Sequence, residues 1–223
     1  MKLISLCLLI ILVSNSLSAQ SGYFQNGQSG IWFQAGGFNA STVSGSVSSG
    51  GYSYKGILGV YGDFSTQTYD MAQSGILTSR SFGWGLEFLP IKEEPTGLPF
   101  SVFLSANLTH TPGSYLKNVP NTFTSTHIDQ VAHEYSAGIS TSFNNSPRLR
   151  LIPSLSVLYA TYSLQNTDIN TEISSKSEVE EIAALPFLYS ISGNMEIGLV
   201  PTVRCYNDIT LYQLTLGFYS GIK

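Results

Sequence analysis

The sequence predicts an all-β fold, a single closed antiparallel up-and-down barrel, on three observations. Apolar and polar residues alternate along most of the chain, and side chains of a strand point alternately to its two faces. Charged residues make up only 11% of the 223 residues, against about 25% in an average soluble domain. Turn-forming clusters of Gly, Pro, Asn and Ser separate the alternating stretches. The 13 Tyr, 12 Phe and 2 Trp exclude intrinsic disorder, which goes with few aromatics and much charge. A net charge of −4 without a basic patch excludes nucleic-acid binding.

Residues 1–19, MKLISLCLLIILVSNSLSA, read as a signal peptide. Lys2 supplies the positive start, Leu3 to Val13 the apolar run, and Leu17-Ser18-Ala19 a small-residue cleavage site before Gln20. The apolar run is shorter than the roughly 20 residues a spanning helix needs. Cys7 leaves with the signal, so Cys205 is the one remaining cysteine and no internal disulfide framework is expected. Residues 20–223 suit one domain.

The strands follow in order. GIWFQAGGF (30–38) and GYSYKGILGVYGDF (51–64) read as strands, with 42–48 as a weaker return strand between them. In SRSFGWGLEF (79–88), Phe82, Trp84, Leu86 and Phe88 share a face. After the turn PIKEEPTG, LPFSVFLSANLTH (98–110) sets Phe100, Val102, Leu104, Ala106 and Leu108 against Ser101, Phe103, Ser105, Asn107 and Thr109. A hairpin over 129–162 turns at Asn144-Asn145-Ser146-Pro147, with Ile152 and Leu158 interrupting its polar face and Pro153 on its oily one. Another, over 178–206, turns at Ser192-Gly193-Asn194, and ITLYQLTLGFY (209–219) closes the chain. Nine strands are clear. Bacterial membrane barrels have even counts, so 42–48 is enlisted and ten strands are favoured over eight. The connections 65–78, 111–128 and 163–177 read as long polar loops.

Two arrangements satisfy such a chain. A soluble barrel turns its oily faces inward, and a membrane barrel turns them toward lipid. Glycine and serine dominate the non-oily faces, where a solvated exterior carries Lys and Glu, and short turns alternate with long loops. Both features favour lipid, and closure is then compulsory because unpaired backbone in hydrocarbon is costly. Phe82, Trp84, Phe88, Phe100, Tyr159, Phe187, Tyr189, Tyr212 and Phe218 are candidates for the interfacial aromatic girdles.

The ending Ser18-Ala19-Gln20, the opening GIWFQAGGF, the hairpin FGWGLEFLP…LPFSVFLSANL and the closing LYQLTLGFY carry a resemblance over the whole mature chain. It resembles the small outer-membrane β-barrel proteins, the OmpA/OmpX-like superfamily and its "outer membrane beta-barrel domain" relatives. Such barrels often end on an aromatic, whereas Phe218-Tyr219 is followed here by Ser220-Gly221-Ile222-Lys223. The resemblance implies a transmembrane β-barrel in the outer membrane of a Gram-negative cell. Its partners would be outer-membrane lipid, the barrel-assembly machinery and an extracellular or envelope protein.

Lys55, Glu87, Glu134, Arg150, Glu196 and Arg204 fall on inward faces and read as a lumenal polar network, since buried charges must be paired. Glu134 with Arg150, and Glu196 with the neighbours of Arg204, are the pairings that strand adjacency suggests. Glu178, Glu180 and Glu181 read as a solvated loop end. His110 and His127 flank one loop, with Asp129 and Ser114 nearby, and His133 lies in the next strand. Nothing like HExxH or CxxC is present, so these read as rim residues, with no metal, cofactor or catalytic set expected. The expected role is structural, adhesive or interaction-based, through the long loops, and not enzymatic. A small porin or hydrophobic-solute channel is one alternative, and a soluble exported ligand-binding barrel another.

Overall fold

A computed structural model of the chain describes residues 23–41, 43–70, 76–112, 115–117, 128–144, 146–166, 171–206 and 209–222. The signal-peptide assignment to 1–19 lies outside them. Ten antiparallel strands close on themselves. They are β1 (Ser29–Asn39), β2 (Val43–Tyr54), β3 (Leu58–Asp70), β4 (Ile76–Ile91) and β5 (Ser101–Thr111). Then come β6 (Ile128–Ser140, resuming at Phe143–Asn144), β7 (Leu149–Leu151 and Ser154–Asn166) and β8 (Thr171–Ala184 and Phe187–Ser192). β9 (Met195–Tyr206) and β10 (Ile209–Ile222) complete the wall. Each strand pairs with its neighbours in sequence, and β10 pairs with β1, Phe218 lying opposite Phe33, so no edge is left open. The segment Tyr115–Lys117 adds to the upper end of β4.

Two expectations change. The stretch 51–64 is not one strand: Tyr54 and Leu58 pair across a turn at 55–57 in which Lys55 and Gly56 have φ of 54° and 64°. Positive φ at successive positions is the conformation of tight hairpin turns whose twist matches the strands. The return strand thus runs to Tyr54. The connections 65–78 and 163–177 are also not long loops. Ser65 to Asp70 pairs with Ile76 to Ser81, and Ser163 to Asn166 with Thr171 to Ser175. Serine and threonine there alternate between wall faces, so a polar run that reads as loop is strand continued above the apolar band.

The alternation orients the wall. Leu104, Leu155 and Leu214 are 44%, 60% and 50% exposed, while Ser105 and Thr215 are 9% and 1% exposed and point inward. Glycine on inward faces has a specific purpose. Trp32 lies opposite Gly51, Tyr61 opposite Gly85, and Phe103 opposite Gly138. A Cβ at Gly85 would run into the Tyr61 ring, and one at Gly138 into Phe103. Large lumenal rings lie flat across glycines of the next strand, and this fills a narrow barrel without strain.

Candidate functional site

The lumen and the outer wall are the two places where chemistry is concentrated. The turns 55–57, 92–100, 146–148 and 193–194 lie at one end with the segment 23–28, here called the lower end. Residues 23–28 fold across this mouth. Tyr23 and Phe24 insert into it and meet Tyr219 edge-on, with ring centroids 5.3 and 6.5 Å apart. Together with Trp32, Tyr61, Ile152, Leu188 and Tyr219 they form one buried cluster. Leu158, also fully buried, continues the interruption of the polar face inside the lumen.

Polar contacts fasten this plug. The Lys92 ammonium donates to Phe24 O at 2.6 Å and Gly56 O at 3.0 Å, and Asn26 N donates to Glu94 Oε2 at 2.9 Å. Glu93 and Glu94 belong to the single helical turn α1 (Glu93–Thr96), so the charged turn between β4 and β5 becomes a clasp. Burial pulls the Lys92 ammonium down to about 8, against a smaller upward pull from Glu94. Arg150 donates to Tyr23 O and, at 2.6 Å, to Glu196 Oε2, which is also its ion-pair partner. The Tyr219 hydroxyl accepts a hydrogen bond from the buried Gln34 amide.

The upper lumen is polar. Arg204, 4% exposed, meets Glu180 at 2.5 Å and 3.0 Å, and Lys176 pairs with Glu178. Asn107 donates to Glu134 Oε2 at 3.1 Å, while Ser105 and Ser136 share a hydrogen bond at 2.6 Å. Asp63, Gln67 and Gln130 are buried nearby on β3 and β6.

The predicted network residues separate accordingly. Glu87, Glu134 and Arg204 are buried inside, and Arg150 and Glu196 sit at the lower mouth. Lys55 is not lumenal: it occupies the β2–β3 turn, with its ammonium 5.2 Å from the Tyr54 ring centroid. The pairings also differ from those that adjacency suggested. Arg150 faces Asn144 or Leu188 in register and Glu134 faces Ala160, so Glu134 and Arg150 lie at different heights. Glu178 and Glu180 are not a solvated loop end but inward residues of β8, and Glu181 faces outward. Asp63, Glu178, Glu180, Lys92, Tyr23 and Tyr219 are the lumenal residues that sequence reasoning missed. Only the alternation of Lys176, Glu178, Glu180 and Ile182 could have revealed the acidic pair.

On the outer wall, Phe82, Trp84, Phe88, Tyr159, Phe187, Tyr189, Tyr212 and Phe218 point away from the lumen, and Phe100 is half-buried just before β5. Above the apolar band the first polar outward positions are Thr66, Arg80, His110, His133, Thr161 and Glu181. Ala183 to Ile191 on β8 and Leu149 to Tyr159 on β7 match the about 9–11 tilted residues that cross a bilayer core. The chain has the fold of the outer-membrane β-barrels.

Two solved autotransporter domains share this architecture. The β domain of the Bordetella autotransporter BrkA aligns with a TM-score of 0.58 at 8% identity, over 86% of this chain and 99% of that one. The translocator domain of autotransporter NalP from Neisseria meningitidis aligns at 0.53 and 8%, over 88% and 89%. Ail, the attachment invasion locus protein of Yersinia pestis, aligns at 0.42 and 12%, over 89% and 100%. At these identities the likeness is one of fold. No protein-family model and no curated protein matches the chain.

His110 Nε2 stands 3.6 Å from Asp129 Oδ2 at the upper border of the barrel, both of them accessible. His133 points outward on β6, while Ser114 and His127 lie outside the described residues. Among the described residues no group of three or more His, Cys, Asp or Glu is placed to hold a metal.

Proposed function

We propose that the protein is an integral outer-membrane barrel, exported by a cleaved signal peptide and inserted by the barrel-assembly machinery. Its role is structural, adhesive or interaction-based, with neither conduction nor catalysis. The observation that carries this reading is the filled lower lumen. Seven buried apolar and aromatic residues, an ion pair and a twice-bonded ammonium occupy the mouth through which a solute would leave. The partner-facing part is the upper rim, where β3, β4, β7 and β8 continue past the apolar band as polar strands. The outward apolar wall argues against a soluble exported barrel, because such a belt in water is an aggregation surface.

Planar-bilayer recording of the reconstituted protein tests the reading. Silence is the expected result, under conditions where a general porin conducts. Unitary current steps would establish the channel alternative instead. Carbonate extraction tests the location: the protein stays with the membrane pellet, and release into the supernatant refutes the barrel in lipid.

A further inference from the structure

One carboxylate of the upper lumen has no counterpart. Asp63 on β3 is 7% exposed and lies opposite Ser49 on β2 and Gly83 on β4. A Cβ at Gly83 would meet Asp63 Oδ2 at 2.5 Å, so the carboxylate lies across that glycine toward β5. Tyr61, two residues earlier, does the same over Gly85, where a Cβ would meet its hydroxyl at 2.5 Å. On β5, Thr109 stands opposite Gly83 and Asn107 opposite Gly85, and Asn107 in turn faces Glu134 on β6. Asp63, Tyr61, Asn107 and Glu134 therefore gather over two glycines, and the charges of Asp63 and Glu134 both act on the Tyr61 hydroxyl.

Hydrogen-bond donors run short in this cluster. The Asn107 amide stands beside Asp63, yet its two N–H groups go to Thr109 Oγ1 and Glu134 Oε2, both at 3.1 Å, and neither Asp63 oxygen has a hydrogen-bond partner. Asn107 Oδ1, on a side chain 5% exposed, has none either. Charge is unbalanced in the same direction. Among the described residues of the upper lumen, Asp63, Glu134, Glu178 and Glu180 stand against Lys176 and Arg204. Arg204 pairs with Glu180 and Lys176 with Glu178, and no cationic side chain among the described residues pairs with Asp63. Buried water can donate hydrogen bonds to such oxygens, but it does not neutralise two surplus carboxylates.

We propose that this cluster binds one calcium ion. Asp63 and the Asn107 carbonyl supply the protein ligands, the Tyr61 hydroxyl lines the site, Glu134 contributes the second negative charge, and water completes the coordination. The chemistry selects the ion. Every group offered is a hard oxygen, and two surplus carboxylates call for a double positive charge. Calcium accepts six to eight oxygens in irregular geometry, whereas magnesium demands a near-ideal octahedron that side chains fixed on three strands of a closed wall do not form. The ion arrives from the upper end, because Tyr23 and Phe24 close the lower mouth. No sequence motif marks the place, since its residues come from separate strands and include only two carboxylates.

Calorimetric titration of calcium into the full-length barrel, refolded into non-ionic detergent and stripped of metal with EDTA, tests this. Refolding keeps out anionic lipid, which binds calcium by itself. Uptake of one calcium per chain is expected, together with a calcium-dependent rise in the thermal midpoint of the folded gel band. Asp63→Asn keeps the side chain's size and removes its charge. It weakens binding by at least about tenfold, the smallest loss found when even a group that merely orients a ligand is removed, and it abolishes the rise in midpoint. Asn107→Ala acts in the same direction. Glu181→Gln, which removes an outward carboxylate from β8, leaves both readouts unchanged. Boiling-dependent gel mobility verifies that each variant is folded. A folded wild type that takes up no calcium, and whose midpoint follows pH alone, overturns the site and assigns the neutralisation to protons. Calcium uptake that survives Asp63→Asn undiminished, or that disappears with Glu181→Gln, also overturns it.

Discussion

The two halves of the lumen are filled by opposite means. The lower half is closed by rings and aliphatic side chains, from Tyr23 and Phe24 through Trp32 and Tyr61 to Tyr219. The upper half is closed by charges and amides, with Arg204 against Glu180 and Asn107 against Glu134. Apolar packing needs only volume, and its failures are graded. A buried charge pair needs its partner, and removing one member strands the other. The lower half is therefore predicted to tolerate substitution gradually and the upper half abruptly.

Arg204→Leu is the strongest way to break the upper half. It leaves Glu180 buried without its cation and should cost about 3–5 kcal/mol, read as a lower thermal midpoint of the folded gel band. Adding Glu180→Leu to it should restore much of the loss. If the single variant is as stable as the wild type, the contrast between the halves disappears. Leu188→Ala probes the lower half, where a fully buried side chain gives way to a cavity. It should cost about 2–5 kcal/mol, toward the lower figure if Tyr219 and Tyr23 move to fill the space.

Lys92 sharpens the comparison, because it is a charge placed in the apolar half. Burial holds its folded value near 8 against an ordinary 10.5, so the unfolded chain binds more protons between those limits. The cost of burying the ammonium is thus present in full below about pH 8 and is relieved as pH rises from 8 to 10.5. Wild type should gain up to about 3 kcal/mol over that range relative to Lys92→Met. A pH-independent difference between the two would show that burial does not shift the ammonium, which then titrates alike in the folded and unfolded chain. The smallest effect belongs to His110→Ala, whose accessible contact with Asp129 should be worth under about 1 kcal/mol at any pH.

Much of this was legible in the chain. Alternation located the strands, and the Gly and Ser opposite faces gave the direction of the wall, because rings such as Tyr61 and Phe103 need bare backbone beside them. Ile152 and Leu158 stood out on a polar face and now lie in the filled interior. The serine-threonine stretches beyond Phe64 and Tyr162 were not legible as strand, since period-two patterning vanishes when both faces are polar. Lys55 was misplaced for a related reason: a Lys-Gly turn inside an otherwise continuous alternation shifts no residue to the wrong face.

The sequence by itself determined that the chain is a barrel and which side of each strand faces lipid, because both follow from local period and composition. Only the tertiary structure decided who meets whom inside. Arg150 reaches Glu196 across β8, and Arg204 finds Glu180, because closing a tilted sheet sets relative heights that no single strand encodes. The same registration brings Pro153, Pro186 and Pro201, far apart in the chain, into one line across the wall.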